Sequence, residues 1–273
     1  MTTAERSTTT TWATERATVG GGEILYDRAG NGPPVLVLPR DNGHPPGNDF
    51  LDRLAQEYTV YYPWYPGFHG GGDPAAWEWI VTARDLAVLQ LQLLDALGLE
   101  RVSVVGLGFG GWLAAEMAAM AGDRISALLL VGAMGIKPSQ GFIYDQFIVS
   151  CEAYAREAFA DQAVFDALYT AEPGFDQLES WETDREMTSR IAWKPYMHNR
   201  ALPDLLRAVR TPALVVWGTN DTVVPVVCAE QFRAVLPNAQ LEVLAGTGHA
   251  VDLEQPRALA SIASSFLKSA HVS

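Results

Sequence analysis

Three short segments hold the residues whose types and spacing could do chemistry. Gly246-Thr247-Gly248-His249 ends in an imidazole, the side chain that gains and loses a proton near neutral pH. Trp217-Gly218-Thr219-Asn220-Asp221-Thr222-Val223-Val224-Pro225 offers a carboxylate just after an apolar run. Gly106-Leu107-Gly108-Phe109-Gly110-Gly111 is a glycine-rich turn between an apolar run and a small-residue helical pattern. Asp221 and His249 each follow a predicted strand. A parallel sheet would project both from its carboxyl edge, where open α/β sheets bind ligands. An aspartate paired to one imidazole nitrogen fixes the tautomer and stabilises the imidazolium, so the other nitrogen can act as general base. Taken singly, His249 reads as a core or surface histidine and Asp221 as an ordinary turn residue. Their common placement gives the pair its weight.

The glycine turn has two readings. Taken literally it fits G-x-G-x-x-G, a dinucleotide-binding fingerprint. Three features oppose that. At least two predicted strands precede it, and bulky Trp112 follows directly. The next strand ends Leu130-Val131-Gly132-Ala133, without the acid expected about 20 residues on to hold a ribose. The second reading is a nucleophile elbow, G-x-S-x-G, with Gly108 where the serine would stand. The Gly70-Gly71-Gly72 run opens no helix and has no following Lys, which excludes a P-loop. The five histidines are scattered, and Cys151 and Cys228 lack metal-ligand spacing, so neither a metal nor a cofactor is expected.

The elements that must position these residues alternate in type. Residues 24–28, 35–38, 58–62, 102–105, 128–131, 213–217 and 240–244 read as strands. Residues 49–57, 77–97, 112–121, 226–236 and 257–268 read as helices. The second of these carries Ile80, Leu86, Leu89, Leu93, Leu94 and Leu97 at helical spacing and stops at Gly98. Strands separated by helices predict an α/β fold with a mostly parallel sheet covered on both faces. The alternation breaks between Gly132 and Arg210, an aromatic-rich helical stretch inserted between two strands. The expected division is a mobile Thr-rich tail at 1–20, a core of 21–132 and 211–273, and a helical cap at 133–210.

Composition narrows the partners. Of 273 residues, 48% are apolar, enough for a sizeable core and too many for a disordered chain. Against 32 acidic residues stand 19 basic ones, a formal net charge of −13. Nucleic acid and anionic membrane both require a basic footprint, so neither is an expected partner. The most apolar stretch, 125–136, is broken by Gly132 and Gly135 and falls short of the roughly 20 residues that a spanning helix needs. No secretory leader pattern is visible, and a cytoplasmic location is expected.

From about residue 22 to 267 the chain resembles the α/β-hydrolase superfamily of cap-bearing serine hydrolases. Four segments carry the resemblance: Pro66-Gly67-Phe68 before a glycine-rich loop, the elbow, the Asp221 loop, and Gly246-Thr247-Gly248-His249 followed by Glu254-Gln255-Pro256. Their order matches the family's nucleophile, acid, histidine. The resemblance implies an α/β-hydrolase fold with a triad acid at Asp221, a base at His249, and Gly108 at the nucleophile position. It also implies an oxyanion hole. One donor is the backbone N–H of Phe109; the other comes from the loop after the 35–38 strand. Family members often carry His-Gly there. This chain has Pro39-Arg40-Asp41-Asn42-Gly43, with Asp41 as the positional equivalent, and an inward carboxylate would repel a developing oxyanion.

Glycine cannot form an acyl-enzyme, which leaves three functional readings. In the first, His249 acts directly on water or substrate, giving hydrolysis, a lyase step or an isomerisation of a small apolar ester or carbonyl-type molecule. In the second, a serine hydrolase has had its elbow serine replaced. In the third, the fold binds a ligand without turnover. The aromatic cap suggests an apolar small-molecule substrate. Trp193 and Tyr196 are candidate pocket walls, and His69, in Gly67-Phe68-His69-Gly70, is a candidate substrate contact.

Overall fold

β-Branched and apolar runs bounded by glycine and proline form eight strands among the described residues, which are 10–45, 47–68, 70–72 and 77–272 of a computed structural model. They are β1 (Ala13–Val19), β2 (Gly22–Ala29), β3 (Pro34–Leu38), β4 (Thr59–Pro63), β5 (Val102–Leu107), β6 (Ile125–Val131), β7 (Ala213–Gly218) and β8 (Ala239–Leu244). They make one sheet in the order β1-β2-β4-β3-β5-β6-β7-β8. The β1–β2 and β2–β4 pairs are antiparallel; every other pair is parallel. β5, β6 and β7 are buried along their whole length, as strands covered on both faces must be.

The period of two divides the strand residues between two apolar layers. Val104, Leu128, Leu130 and Val215 face α2 (Ala83–Ala96), α3 (Phe109–Ala121) and α8 (Val227–Val235). Val35, Val37, Val105, Leu129 and Val216 face α1 (Asp49–Leu54) and α10 (Pro256–Val272). Each fully buried aliphatic side chain contributes about 1.5–3 kcal/mol relative to exposure, so both layers hold the central strands rigidly. Between β6 and β7 lie α4 (Cys151–Glu157), α5 (Gln162–Tyr169), α6 (Phe175–Ala192) and α7 (Leu202–Leu206). The short helix α9 (Val251–Glu254) follows the His249 loop.

Two expectations need correction. The 1–20 segment is not a tail throughout, because Ala13–Val19 is the edge strand β1, paired from Ala13↔Arg28 to Val19↔Gly22. Gly20 and Gly21 turn the chain at φ +55° and +89°, where glycine carries no steric penalty. Ala17 and Val19 are buried while Thr14 and Arg16 bond outward to Asp27 and Glu23, so polar composition concealed a half-covered strand. The helix expected over 77–97 begins only at Ala83. Thr82 accepts from the Asp85 N–H at 3.2 Å and its own N–H donates to the Asp85 carboxylate at 2.9 Å, a capping box that sets the start. Trp77 and Ile80 still pack into the core from the preceding turn.

Candidate active site

β5 runs into α3 through Gly108, whose backbone stands at φ 53°, ψ −113°. Side-chain-bearing residues rarely adopt this conformation. The Gly108 N–H donates to Val131 O at 2.9 Å, and its carbonyl accepts from Met134 N at 3.0 Å, so both halves of the peptide are pinned to β6 and its exit. The neighbouring glycines are needed for close approach. A methyl on Gly106 would lie 2.5 Å from the Gly111 Cα, and one on Gly111 would lie 2.5 Å from the Ala133 Cβ. A methyl on Gly110 would overlap the Leu38 carbonyl oxygen and lie 2.5 Å from that of Pro39. β3, β5 and α3 therefore meet at the elbow at separations that only glycine permits.

The loops after β7 and β8 bring Asp221 to His249. Asp221 Oδ1 accepts the N–H groups of Val223 at 3.0 Å and Val224 at 2.8 Å, which fixes the carboxylate plane. Its Oδ2 lies 2.9 Å from His249 Nδ1. Asn220 N donates to Thr247 O at 2.9 Å, tying the two loops together. Glu254 secures the histidine loop from behind, accepting from Gly248 N at 2.6 Å and from Asp161 N at 2.8 Å. His249 Nε2 is buried and has no hydrogen-bond partner among the described residues. A methyl on Gly108 would lie 2.9 Å from that nitrogen and 3.3 Å from Arg40 Cγ. The imidazole thus stands over the elbow, in the space that a side chain at position 108 would need.

The loop after β3 supplies two more buried charged groups. Arg40 pairs with Asp252 of α9, and Asn48 Nδ2 donates to the same carboxylate at 2.9 Å. Burial pushes the Arg40 guanidinium below its ordinary pKa. Asp41 Oδ2 accepts from Tyr154 Oη at 2.8 Å and from Gln146 Nε2 at 2.9 Å. Burial pushes the Asp41 carboxyl up, against smaller opposing effects from Tyr154, His249 and Gln146. Tyr154 is itself pushed well above the usual tyrosine range by burial and by the nearby Asp41.

A sequence model described as the alpha/beta hydrolase family matches residues 26–262. The chain belongs to this family. It is 28% identical over 268 residues to 2-hydroxy-6-oxononadienedioate/2-hydroxy-6-oxononatrienedioate hydrolase 2 of Pseudomonas putida, covering 90% of this chain and 92% of that one. It is 26% identical over 284 residues to 2-hydroxymuconate semialdehyde hydrolase of the same species, covering 90% of each. The meta-cleavage product hydrolase of Pseudomonas fluorescens IP01 has the same fold, with a TM-score of 0.74 at 20% identity over 94% of this chain and 98% of that one. So does a bacterial membrane phospholipase A, with a TM-score of 0.80 at 19% identity over 96% of this chain and 87% of that one. This chain is thus an α/β-hydrolase-fold enzyme, as the four sequence segments implied.

Within this α/β-hydrolase, His249, Asp221, Gly108 and Phe109 converge. Phe109 is the first residue of α3, so its N–H sits at a helix N-terminus, where the backbone dipoles favour negative charge. Its ring is buried against Tyr65, Phe68 and Trp112. Tyr196 reaches Asp41 indirectly: its hydroxyl accepts from Gln146 N at 3.0 Å and donates to Tyr144 O at 2.7 Å, fixing the residue whose side chain bonds Asp41. Trp193 is 56% exposed, with its ring edge-on to Phe147. His69 lies outside the described residues. Sequence reading missed Asp252, Tyr154 and Gln146, which meet the loop after β3 across more than a hundred residues and carry no local motif. No helix among the described residues is long and apolar enough to cross a membrane.

Proposed function

We propose that this enzyme hydrolyses a small apolar ester or carbonyl-type substrate by His249–Asp221 acid/base chemistry, with no covalent enzyme intermediate. The observation that carries this reading is the buried, unpartnered Nε2 of His249, aimed at an elbow whose residue has no side chain. With Nδ1–H donated to Asp221, Nε2 keeps its lone pair free. It takes a proton from water, and the resulting hydroxide adds to the substrate carbonyl. The Phe109 N–H and the Asp41 position flank the developing oxyanion. Collapse of the tetrahedral species expels the leaving group, which recovers the proton from Nε2. Nothing in this sequence needs a nucleophile at 108 or a cofactor. Residues 133–210 act as the cap over the pocket. One relative is named as the hydrolase of a semialdehyde and another as the hydrolase of 6-oxo dioates, which supports a ketone or aldehyde carbonyl as the reacting centre.

Asp221→Asn tests the orientation of the base. Asp221 Oδ1 is held by two N–H donors, so the asparagine carbonyl must take that place and its amide nitrogen must face His249 Nδ1. The imidazole is then forced to protonate on Nε2 and loses its basic lone pair. Steady-state kinetics are expected to show kcat lowered by about 10²–10⁴-fold and a nearly unchanged KM. An Asp221→Asn enzyme with wild-type kcat would contradict the assignment.

A further inference from the structure

We infer that Asp41 is held as a carboxylic acid and is a second catalytic residue, donating its proton to the substrate carbonyl oxygen. The inference rests on the acid/base reading of the site and adds to it the source of carbonyl activation.

A charge count points to the acid. Asp41, Asp221 and Asp252 are 3%, 8% and 0% exposed, so three carboxyls are buried around one elbow. Arg40 is committed to Asp252. His249 is paired with Asp221 and must be neutral to act as a base. Among the described residues no cation hydrogen-bonds Asp41, and the Arg40 charge that it faces is already paired with Asp252. The other groups facing it are Tyr154 of α4, Gln146 and Tyr196 from the segment between β6 and β7, and Tyr65 beyond β4. Burial holds all three tyrosines neutral, with their pKa values raised. An ionised Asp41 would bring the buried charges of Arg40, Asp252, Asp221 and Asp41 to net −2, whereas a protonated one leaves them at net −1. Both side-chain donors land on Oδ2, which leaves Oδ1 to carry the proton; the residue's own backbone N–H adds a smaller pull toward the ionised form.

This also answers the problem raised by the sequence, where an inward carboxylate at 41 would repel an oxyanion. A site without a nucleophile must polarise its carbonyl strongly, and a neutral carboxyl does so without adding charge. In the addition step His249 Nε2 takes a proton from water and the hydroxyl oxygen bonds to the carbonyl carbon. The carbonyl π pair moves onto oxygen, which takes the Asp41 proton. In the collapse Asp41 takes that proton back and C=O reforms. The bond to the leaving group breaks, with its electron pair going to the leaving group, which takes the proton from Nε2. Water and substrate are consumed, acid and leaving group are released, and both residues return to their starting states.

Two measurements test this. Difference infrared spectra of wild type against Asp41→Asn at neutral pH are expected to show loss of a protonated-carboxyl C=O band; loss of carboxylate bands instead would overturn the protonated state. Asp41→Asn keeps the shape and the Tyr154 bond but cannot transfer a proton. With 2-hydroxy-6-oxo-2,4-heptadienoate or 4-nitrophenyl acetate as probe, kcat is expected to fall by at least about tenfold with little change in KM. Wild-type kcat/KM falls as pH rises through the raised Asp41 pKa, and Asp41→Asn loses that alkaline limb. Tyr154→Phe removes a bond that favours the carboxylate, so the limb moves to higher pH, which a purely structural role would not produce. Retention of both rate and limb in Asp41→Asn would overturn the catalytic role. Should wild type turn over neither probe, the acid/base reading and the catalytic role fail together, while the infrared band still reports the protonation state.

Discussion

Replacing His249 by alanine is expected to lower kcat/KM by about two to four orders of magnitude, the range of a lost general acid/base, while substrate binds almost as before. Among the described residues the imidazole hydrogen-bonds only Asp221, so its loss disturbs little besides that carboxylate. Its loop is held by Glu254, by the Asn220–Thr247 bond and by Ala250 N donating to Ala158 O, none of which uses the imidazole. The cavity left by the ring opens beside Gly108, where no side chain can take over the proton transfer. Asp221 would then be a buried carboxylate with its two backbone donors intact but without its imidazole, so some loss of thermal stability accompanies the loss of rate. Kinetics and ligand titration on the same preparation separate the outcomes. Loss of binding, with no turnover in either form, would point to a ligand-binding protein. Full activity in His249→Ala would remove the mechanism altogether.

A large effect on stability is expected at Gly110, two residues beyond Gly108. Gly110→Ala would drive its methyl into the backbone carbonyls of Leu38 and Pro39. Backbone at a strand end packed on both faces cannot yield as a flexible side chain does. The expected cost is about 2–3 kcal/mol, the upper part of the overpacking range, read as a lowered midpoint in urea unfolding. Gly122→Ala is the contrasting case. It sits at the end of α3 in right-handed helical geometry, φ −61° and ψ −26°, with the nearest outside atom, Thr211 Oγ1, at 3.5 Å from the new methyl. That change is expected to be neutral or to stabilise by up to about 1 kcal/mol through the unfolded chain. Equal costs at both positions would mean that close packing at the elbow is not what the glycines provide.

The contrast between these glycines bears on what was legible in the sequence. The elbow, the Asp221 loop and the His249 loop were legible because each is a short motif after an apolar strand, and strand order carries them to one sheet edge. The parallel core followed from the alternation of apolar runs and helical periods. β1 was hidden because only alternate residues, Ala17 and Val19, are buried in an otherwise polar stretch. The start of α2 turned on one capping box rather than on apolar spacing. The pairs Arg40–Asp252 and Asp41–Tyr154 join residues 212 and 113 positions apart, and no local pattern encodes such contacts. Aromatic content likewise identified the segment between β6 and β7 without telling which rings face inward: Trp181 is 2% exposed and Trp193 56%, on helix positions about a third of a turn apart.

The central claim is that His249 works directly at an elbow designed around glycine. Its most direct test compares the wild type with Gly108→Ser on two substrates, 4-nitrophenyl acetate and 2-hydroxy-6-oxo-2,4-heptadienoate. A serine Cβ at φ 53° would stand 2.9 Å from His249 Nε2, so the imidazole must retreat from the elbow. The account predicts that the glycine protein turns over at least one substrate without a covalent adduct in quenched intact-mass spectra, and that serine lowers that rate. A glycine protein silent on both, beside a serine form that acylates and hydrolyses the ester, would contradict it.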